Sequence, residues 1–449
     1  MNRLFTPVAP DFVRTGTALA IGLIIAPLAG VLAATQPLLL LAFLGAAMWV
    51  ALILRGGRSA FFVTGMAVPL LYLIDVRSAL FSQALLALYG MTCLHALYLV
   101  AQQPDSRQWS RQLVALVVAW GAVVALAART SASDSLSLRF VVTVGIGLLP
   151  YLWFALAASR ITDIDRQRAL LSGIALGAVV VAVVFLVNSR SLTDGLQGRD
   201  AWIDTYTIIG SLKNSLGLLW VIGWTLLLGL RTREWRLIRG ALLIVLLVAI
   251  LFSFSRSSYM ALIVATLLLY HDRSLKLWVV AGAIGAFLLF GLPDAVWARL
   301  EMTWTPGRGF DPSAETRIEL WGAAINAFLS APLTGIGWGK FSEYLVRTGQ
   351  APVAAGSAVY DLGYAHNYFL SAFAMTGIGG GVLSVGIFVA AWMRTQALIA
   401  HQSHVARAVQ AVLLAVLVSS LFGEPLFDPI LAFVFILVLA CLVGQQSEA

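Results

Sequence analysis

Charge is scarce in this sequence, and its scarcity excludes a water-soluble globule. Only 11% of the residues are charged and 60% are hydrophobic, whereas a solvated surface by itself needs more charge than that. Cysteine is equally sparse: Cys93 and Cys441 both lie in apolar runs, so neither a disulfide framework nor a cysteine metal cluster organises the chain. Lysine occurs only at Lys213, Lys276 and Lys340, and arginine supplies the rest of the 29 basic residues. The net charge of +8 is spread through short connections between apolar runs, so no nucleic-acid partner is implied. The same distribution is a topology signal. Internal repeats and low-complexity tracts are also missing.

What is present is hydrocarbon in long runs. Stretches near the ~20 residues needed to cross a bilayer recur along nearly the whole chain. Backbone groups in lipid must pair within their own segment, and these runs lack the alternation of a barrel strand, so they are helices. The expectation is an all-α polytopic membrane protein with about 12 to 14 transmembrane helices. Candidate spans lie near 15–34, 36–54, 60–75, 79–101, 113–128, 140–158, 169–187, 214–230, 240–254, 257–270, 277–292, 366–391, 408–422 and 429–443. The first run is too long for a signal-peptide core and is followed at once by another, so it reads as a retained helix. Starting in the cytoplasm gathers most short-loop basic residues inside, Arg55, Arg58, Arg107, Arg160, Arg231, Arg273, Arg394 and Arg407 among them, and puts both termini there. The chain then divides into N-terminal transmembrane helices (1–292), a large outer loop (293–365) and C-terminal transmembrane helices (366–449).

Three polar features fall on the outer side under this topology. One is the loop Asn188–Lys213, with Gly198-Arg199-Asp200 inside it and Lys213-Asn214 at its end. Another is Ser255-Arg256-Ser257-Ser258, a charge between two apolar runs with almost no loop around it. The third is Pro293–Ala365, whose Trp297, Trp304, Trp321, Trp338, Tyr344, Tyr360 and Tyr364 are too many aromatics for a solvated linker. Within it, Asp311-Pro312 is a helix start. Ile318, Trp321, Ile325 and Phe328 then recur at helical spacing, giving an amphipathic helix able to lie on the membrane domain. Pro332 ends it, and Gly335-Ile336-Gly337-Trp338-Gly339 is a tight turn that permits close backbone approach.

Chemistry concentrates at Tyr364-Ala365-His366-Asn367-Tyr368, where the outer loop re-enters an apolar helix. Histidine is the side chain suited to proton abstraction near neutral pH, and Asn367 is placed to orient the ring or an acceptor sugar. The plainer use of the same pair is to cap the helix. Arg256 at membrane depth needs a compensating partner. That partner is the outer lipid headgroups reached by snorkelling, or Glu424 or Asp428 in the last outer loop, or a phosphate, which planar guanidinium forks bind bidentately. Arg317 and Arg199 lie on the same side, although Arg317 also has Glu315 and Glu319 for neighbours and Arg199 sits in a polar loop. Tyr368, Trp321, Trp338 and Lys213 complete the candidate substrate-binding set. His95 reads as a satisfied core histidine, and His271, His401 and His404 as loop residues. Asp163-Ile164-Asp165 has the spacing of a metal-holding carboxylate pair but stands among Arg160, Arg166 and Arg168 as a solvated loop.

Taken in order, Ser255-Arg256-Ser257-Ser258, Arg317 with Trp321 four residues on, Pro332-Leu333-Thr334-Gly335-Ile336-Gly337, and His366-Asn367-Tyr368 with Gly377 behind it resemble the O-antigen ligase and polymerase superfamily of bacterial cell envelopes. The likeness runs from near Leu251 to Gly380. It implies a metal-independent, GT-C-like glycosyltransferase of the bacterial inner membrane with no cofactor and an active site facing the periplasm. The donor it implies is a glycan on undecaprenyl diphosphate, and in the ligase branch the acceptor is a sugar hydroxyl of lipid A-core. By carry-over His366 activates the acceptor, Arg256 and Arg317 hold the diphosphate, and Arg199 joins the same clamp. Polymerases and protein O-oligosaccharyltransferases share the loop and the histidine, so the branch stays open. The protein-directed members are typically longer at the C-terminus. A transporter of the same lipid-linked substrate is the alternative from another class, and broken helices with mid-membrane charges in paired halves would mark it.

Overall fold

The structure is a computed structural model that describes residues 58–74, parts of 84–99, 114–123, 161, 163–188, 213–230, 236–253, 255–270, 304–305, 309–310, 312–351, 363–400 and 404–443. By contact density the chain divides into residues 1–60 and 61–449. The first unit contributes only Arg58, Ser59 and Ala60 to the described residues. The elements, in order, are α1 Arg58–Leu70 with a 3-10 turn at Leu71–Leu73, α2 Val114–Val123, α3 Ile164–Asn188, α4 Lys213–Gly229, α5 Arg236–Phe252 and α6 Arg256–Tyr270. There follow α7 Pro312–Ser330, α8 Phe341–Thr348, α9 Tyr368–Ala400, α10 His404–Leu421 and α11 Pro429–Val443. A two-residue antiparallel ladder, Trp304–Thr305 with Gly309–Phe310, precedes α7. Everything else regular among the described residues is helical, as a chain with few charges and long apolar runs requires.

Among the described residues α3, α9 and α10 are long and apolar enough to cross a membrane, and α4, α6 and α11 are shorter apolar helices. The spans expected near 169–187, 214–230, 240–254, 257–270, 408–422 and 429–443 each coincide with a helix. Those near 15–34, 36–54, 140–158 and 277–292 lie outside the described residues. Two expectations need correction. The helix expected to end near 391 runs to Ala400, so Arg394 belongs to α9 and not to a loop. Its Nε donates to the Leu442 carbonyl at 3.2 Å, taking up a helix-end acceptor that lacks an intrahelical donor. His404, expected in a loop, is the first residue of α10.

The centre of the bundle is built from α4, α6 and α10. The first two run parallel in a constant register: Asn214 meets Ser255, Gly217 lies against Ser258, and the Trp224 indole N–H donates to Thr266 Oγ1 at 3.0 Å. α10 runs antiparallel to α4, since Gly229 at the end of α4 abuts Ala408 near the start of α10. Missing side chains at Gly217 and Gly229 allow this approach, the usual device where lipid gives helices no hydrophobic reason to associate.

α9 is broken at Gly377, whose φ of 69° and ψ of −167° are not helical. The break is filled by the segment after α7. Ile378 donates its N–H to the Pro332 carbonyl at 2.8 Å, while the Ala374 and Met375 carbonyls accept from Ile336 (2.9 Å) and Gly337 (3.2 Å). Buried backbone groups must be paired, and here α9 and the loop exchange their unpaired groups. A Cβ at Gly335 would strike the Met375 backbone, and one at Gly377 would strike the Leu333 carbonyl. The tight glycine turn read from the sequence is thus one half of a joint.

Helix α7 does begin at Pro312, but the face it buries differs from the one expected. Leu320, Ala323, Ala324 and Ala327 pack with Phe341, Tyr344 and Leu345 of α8 and Ala374 of α9. Ile318 and Ile325 are 54% and 48% exposed. Trp321 and Phe328 sit at the margin, Phe328 edge-on to Phe373 at 5.5 Å. Close packing against α9 selects the alanine row, because small side chains let two backbones approach.

Candidate functional site

The turn before α9 is fixed from both sides. Asn367 Oδ1 accepts the Leu370 N–H at 3.1 Å as an N-cap, and its Nδ2 donates to the Leu421 carbonyl at the end of α10, also at 3.1 Å. The capping role weighed from the sequence is therefore real for Asn367. Ala365 donates its N–H to Ser371 Oγ at 3.0 Å. Between these anchors His366 has a φ of 53°, the one positive value outside glycine among the described residues. A side chain held in that sparsely populated region requires a surrounding structure that imposes it, and such residues concentrate at functional sites.

What faces the imidazole is Glu424, from the connection between α10 and α11. His366 Nδ1 lies 3.6 Å from Glu424 Oε2, and Ser371 Oγ donates to Glu424 Oε1 at 3.4 Å. The first distance is within ion-pair reach and just longer than a formed hydrogen bond. The Glu424 side chain is 9% exposed and the imidazole 40%, so the carboxylate is enclosed while the ring opens outward. An enclosed carboxylate needs a cationic or hydrogen-bonding partner, and here the sequence supplied a histidine and a serine. Tyr364 is held above the ordinary tyrosine range, first by burial and then by the Glu424 charge, so its hydroxyl keeps its proton at neutral pH.

Aromatic packing fixes the same segment. Phe427 is ringed by Trp338 (4.7 Å), Tyr364 (5.0 Å) and Tyr368 (5.1 Å), so both tyrosines flanking the histidine rest on one ring. Trp120 of α2 closes the group against Tyr368 at 6.1 Å and Trp338 at 6.4 Å. Below Tyr368 runs a narrow apolar cleft between α2, α9 and α11, bounded by Val117, Trp120, Phe388, Phe435 and Leu439.

A polar chain connects this turn to the arginine helix. Asp428, four residues after Glu424, accepts from Tyr72 Oη at 2.6 Å, caps α11 through the N–H groups of Ile430 and Leu431, and takes a further hydrogen bond from Ser215. Burial raises the Asp428 carboxyl above the ordinary range, against the lowering effect of those hydrogen bonds. Ser215 lies in the first turn of α4, and its neighbour Asn214 accepts from Ser255 Oγ at 2.8 Å, immediately before Arg256. The N-termini of α4, α6 and α9 and the connection carrying Glu424 therefore share one end of the bundle.

Of the residues singled out from the sequence, His366, Asn367, Tyr368 and Trp338 form one cluster. Arg256 opens α6 and Lys213 opens α4 at the same end. Arg317 is in the first turns of α7, with Trp321 one turn further and its indole N–H buried without a hydrogen-bond partner among the described residues. Arg199 lies outside the described residues. Glu424 and Asp428, considered from the sequence as partners for Arg256, face His366 and Tyr72. His95 is buried as expected but not satisfied: it packs on Phe61 at 4.9 Å, and neither ring nitrogen has a hydrogen-bond partner among the described residues. Asp163 and Asp165 start α3, where Asp163 Oδ1 accepts the Asp165 N–H at 2.9 Å. Sequence reasoning missed Phe427 and the pairing of Glu424 with the histidine. The available signal was a Glu-Pro step in a short connection between two apolar spans.

These features define a helical membrane protein with an outward-opening imidazole backed by an enclosed carboxylate. Residues 241–385 match the family model described as O-antigen ligase, so this segment of the chain is similar to that family. The matched segment contains Arg256, Arg317, His366 and the Gly377 joint, and it stops short of Asn214 on one side and Glu424 on the other. No curated protein matches the chain.

Proposed function

We propose that this protein is an inner-membrane glycosyltransferase that moves a glycan from undecaprenyl diphosphate to a sugar hydroxyl of lipid A-core, with its active site facing the periplasm. The observation that carries this reading is the pairing of His366 with Glu424 at the end of the bundle where α4 and α6 begin with Lys213 and Arg256. A base oriented through one ring nitrogen by a carboxylate leaves the other nitrogen to take a proton. His366 Nε2 accepts the acceptor hydroxyl proton as that oxygen bonds to the anomeric carbon. The bond from that carbon to phosphate breaks, and its electron pair leaves on the diphosphate, where the guanidinium groups of Arg256 and Arg317 stabilise the charge. Attack from the face opposite the leaving group inverts the anomeric centre. The break in α9 is filled by backbone from the segment after α7.

The test is transfer of lipid-linked glycan to purified lipid A-core by the full chain in detergent. His366→Ala is expected to reduce the rate by about a hundredfold or more, the contribution of a positioned base. Transfer undiminished by this change removes the assignment of His366. Absence of transfer by the unaltered protein to any glycan acceptor removes the enzymatic reading.

A further inference from the structure

We infer that Asn214 is a donor-binding residue whose side-chain N–H groups bind a phosphate oxygen of the lipid diphosphate, held in that orientation by Ser255. The inference rests on the glycosyl-transfer reading above and adds a residue outside the matched family segment.

The argument begins with the Ser255 hydroxyl, which is buried (1% exposed). It accepts the Ser258 N–H at 3.3 Å as the N-cap of α6, and it accepts the Ser258 hydroxyl proton at 2.9 Å. A hydroxyl has two lone pairs and one proton. Both lone pairs are thus occupied, and the proton needs an acceptor. Asn214 Oδ1 provides the nearer one at 2.8 Å, with Ser257 Oγ beside it at 3.1 Å. Turning the amide over would aim a third donor at two filled lone pairs, so the hydrogen-bond balance fixes Oδ1 toward Ser255 and the NH2 group away from it.

That assignment leaves two N–H donors with nothing to bind. Among the described residues the Asn214 side chain bonds only to Ser255, and its amide nitrogen meets no acceptor. The carboxylates nearest along the polar chain are committed elsewhere: Asp428 to Tyr72, Ser215 and the α11 cap, Glu424 to His366 and Ser371. Asn214 is partly exposed and sits between Lys213 and Ser215, at the end of the bundle where Arg256 also begins. The arginine that opens α6 and a pair of oriented, neutral donors together suit an anion with several oxygens. A diphosphate has them. The neutral amide adds hydrogen bonds without adding charge, which lets the site release the product diphosphate as well as bind the donor.

The experiment measures binding of undecaprenyl diphosphate without a glycan to the purified full chain in detergent. Undecaprenol serves as the lipid without phosphate and inorganic diphosphate as the phosphate without lipid. Asn214→Asp keeps an oxygen for Ser255 and replaces the donors with a second oxygen, and Asn214→Ala removes the donors without adding charge. Both are expected to weaken undecaprenyl diphosphate binding by about tenfold to a hundredfold, the effect of losing hydrogen bonds to a charged group. Undecaprenol binding and the unfolding midpoint of the aspartate variant should stay as in the unaltered protein. Ser255→Ala should give a smaller loss that Ser255→Thr restores, because alanine frees the amide to rotate without deleting it. If the unaltered chain binds the lipid diphosphate and transfers glycan while both Asn214 variants bind it equally well, the inference fails and the glycosyltransferase reading stands. If the unaltered chain does not bind undecaprenyl diphosphate, both fail. Inorganic diphosphate binding as tightly as the lipid form, with the same dependence on Asn214, overturns the assignment to a lipid substrate.

Discussion

At the scale of single residues, the proposed reaction turns on how Glu424 acts on His366. The carboxylate is enclosed, the ring is open, and the two stand 3.6 Å apart, a separation that one small shift of either side chain closes to a hydrogen bond. Glu424 touches the ring and not the space in front of it, so it is a positioning residue. Glu424→Gln preserves the acceptor for Ser371 and removes the charge that holds the imidazole. The expected outcome is a fall in kcat of about tenfold to a hundredfold with donor KM little changed, and a pH–rate profile altered in its ascending limb. A profile and kcat identical to the unaltered enzyme would make Glu424 a merely structural residue. His366 itself was legible from the sequence by its place at the mouth of an apolar helix. Its partner was not, because the 57 intervening positions say nothing about which connection folds over which.

At the scale of elements, the joint at Gly377 is expected to hold α7 and α8 on the bundle. The Pro-Leu-Thr-Gly-Ile-Gly segment and the glycine in α9 looked like separate features along the chain. In the fold they exchange hydrogen bonds that each would otherwise lack. Gly377→Ala places a side chain at a φ of 69° and against the Leu333 carbonyl. The cost expected for such a residue is about 1–3 kcal/mol, enough to detach the loop before the bundle melts. Limited proteolysis should then cut around α7 and α8 faster than in the unaltered protein, with the helical content of the bundle retained. Equal protection in both would mean that the joint does not hold the outer helices. The α7 face shows the matching limit of sequence reading. Periodicity identified an amphipathic helix, but both a bulky row and an alanine row lie on it, and only contact with α9 selects the alanines.

At the scale of the whole molecule, the proposed reaction requires residues 293–365 and the imidazole to be outside the cytoplasm. Glu343 offers a test, since its side chain is 63% exposed on α8 and its surface pair with Lys340 contributes little to stability. Glu343→Cys in intact cells with a permeable outer membrane is expected to react with a membrane-impermeant maleimide. Reaction only after the inner membrane is opened would reverse the orientation and with it the side of the chemistry. Cys441 is buried within α11, and the unaltered chain, which also carries Cys93, is the control for labelling at the native cysteines.

Composition alone determined that this chain lives in a membrane as helices, because few charges and long apolar runs leave the backbone no other way to satisfy its hydrogen bonds in lipid. The order of short motifs carried the family resemblance, and a histidine at a helix mouth marked the candidate site. Only the tertiary structure decided which carboxylate backs the imidazole, which ring supports its neighbours, which glycines form one joint, and which way the Asn214 amide faces. Those are facts of convergence between segments remote in sequence, and local patterns encode how a segment folds but not which other segment it will meet.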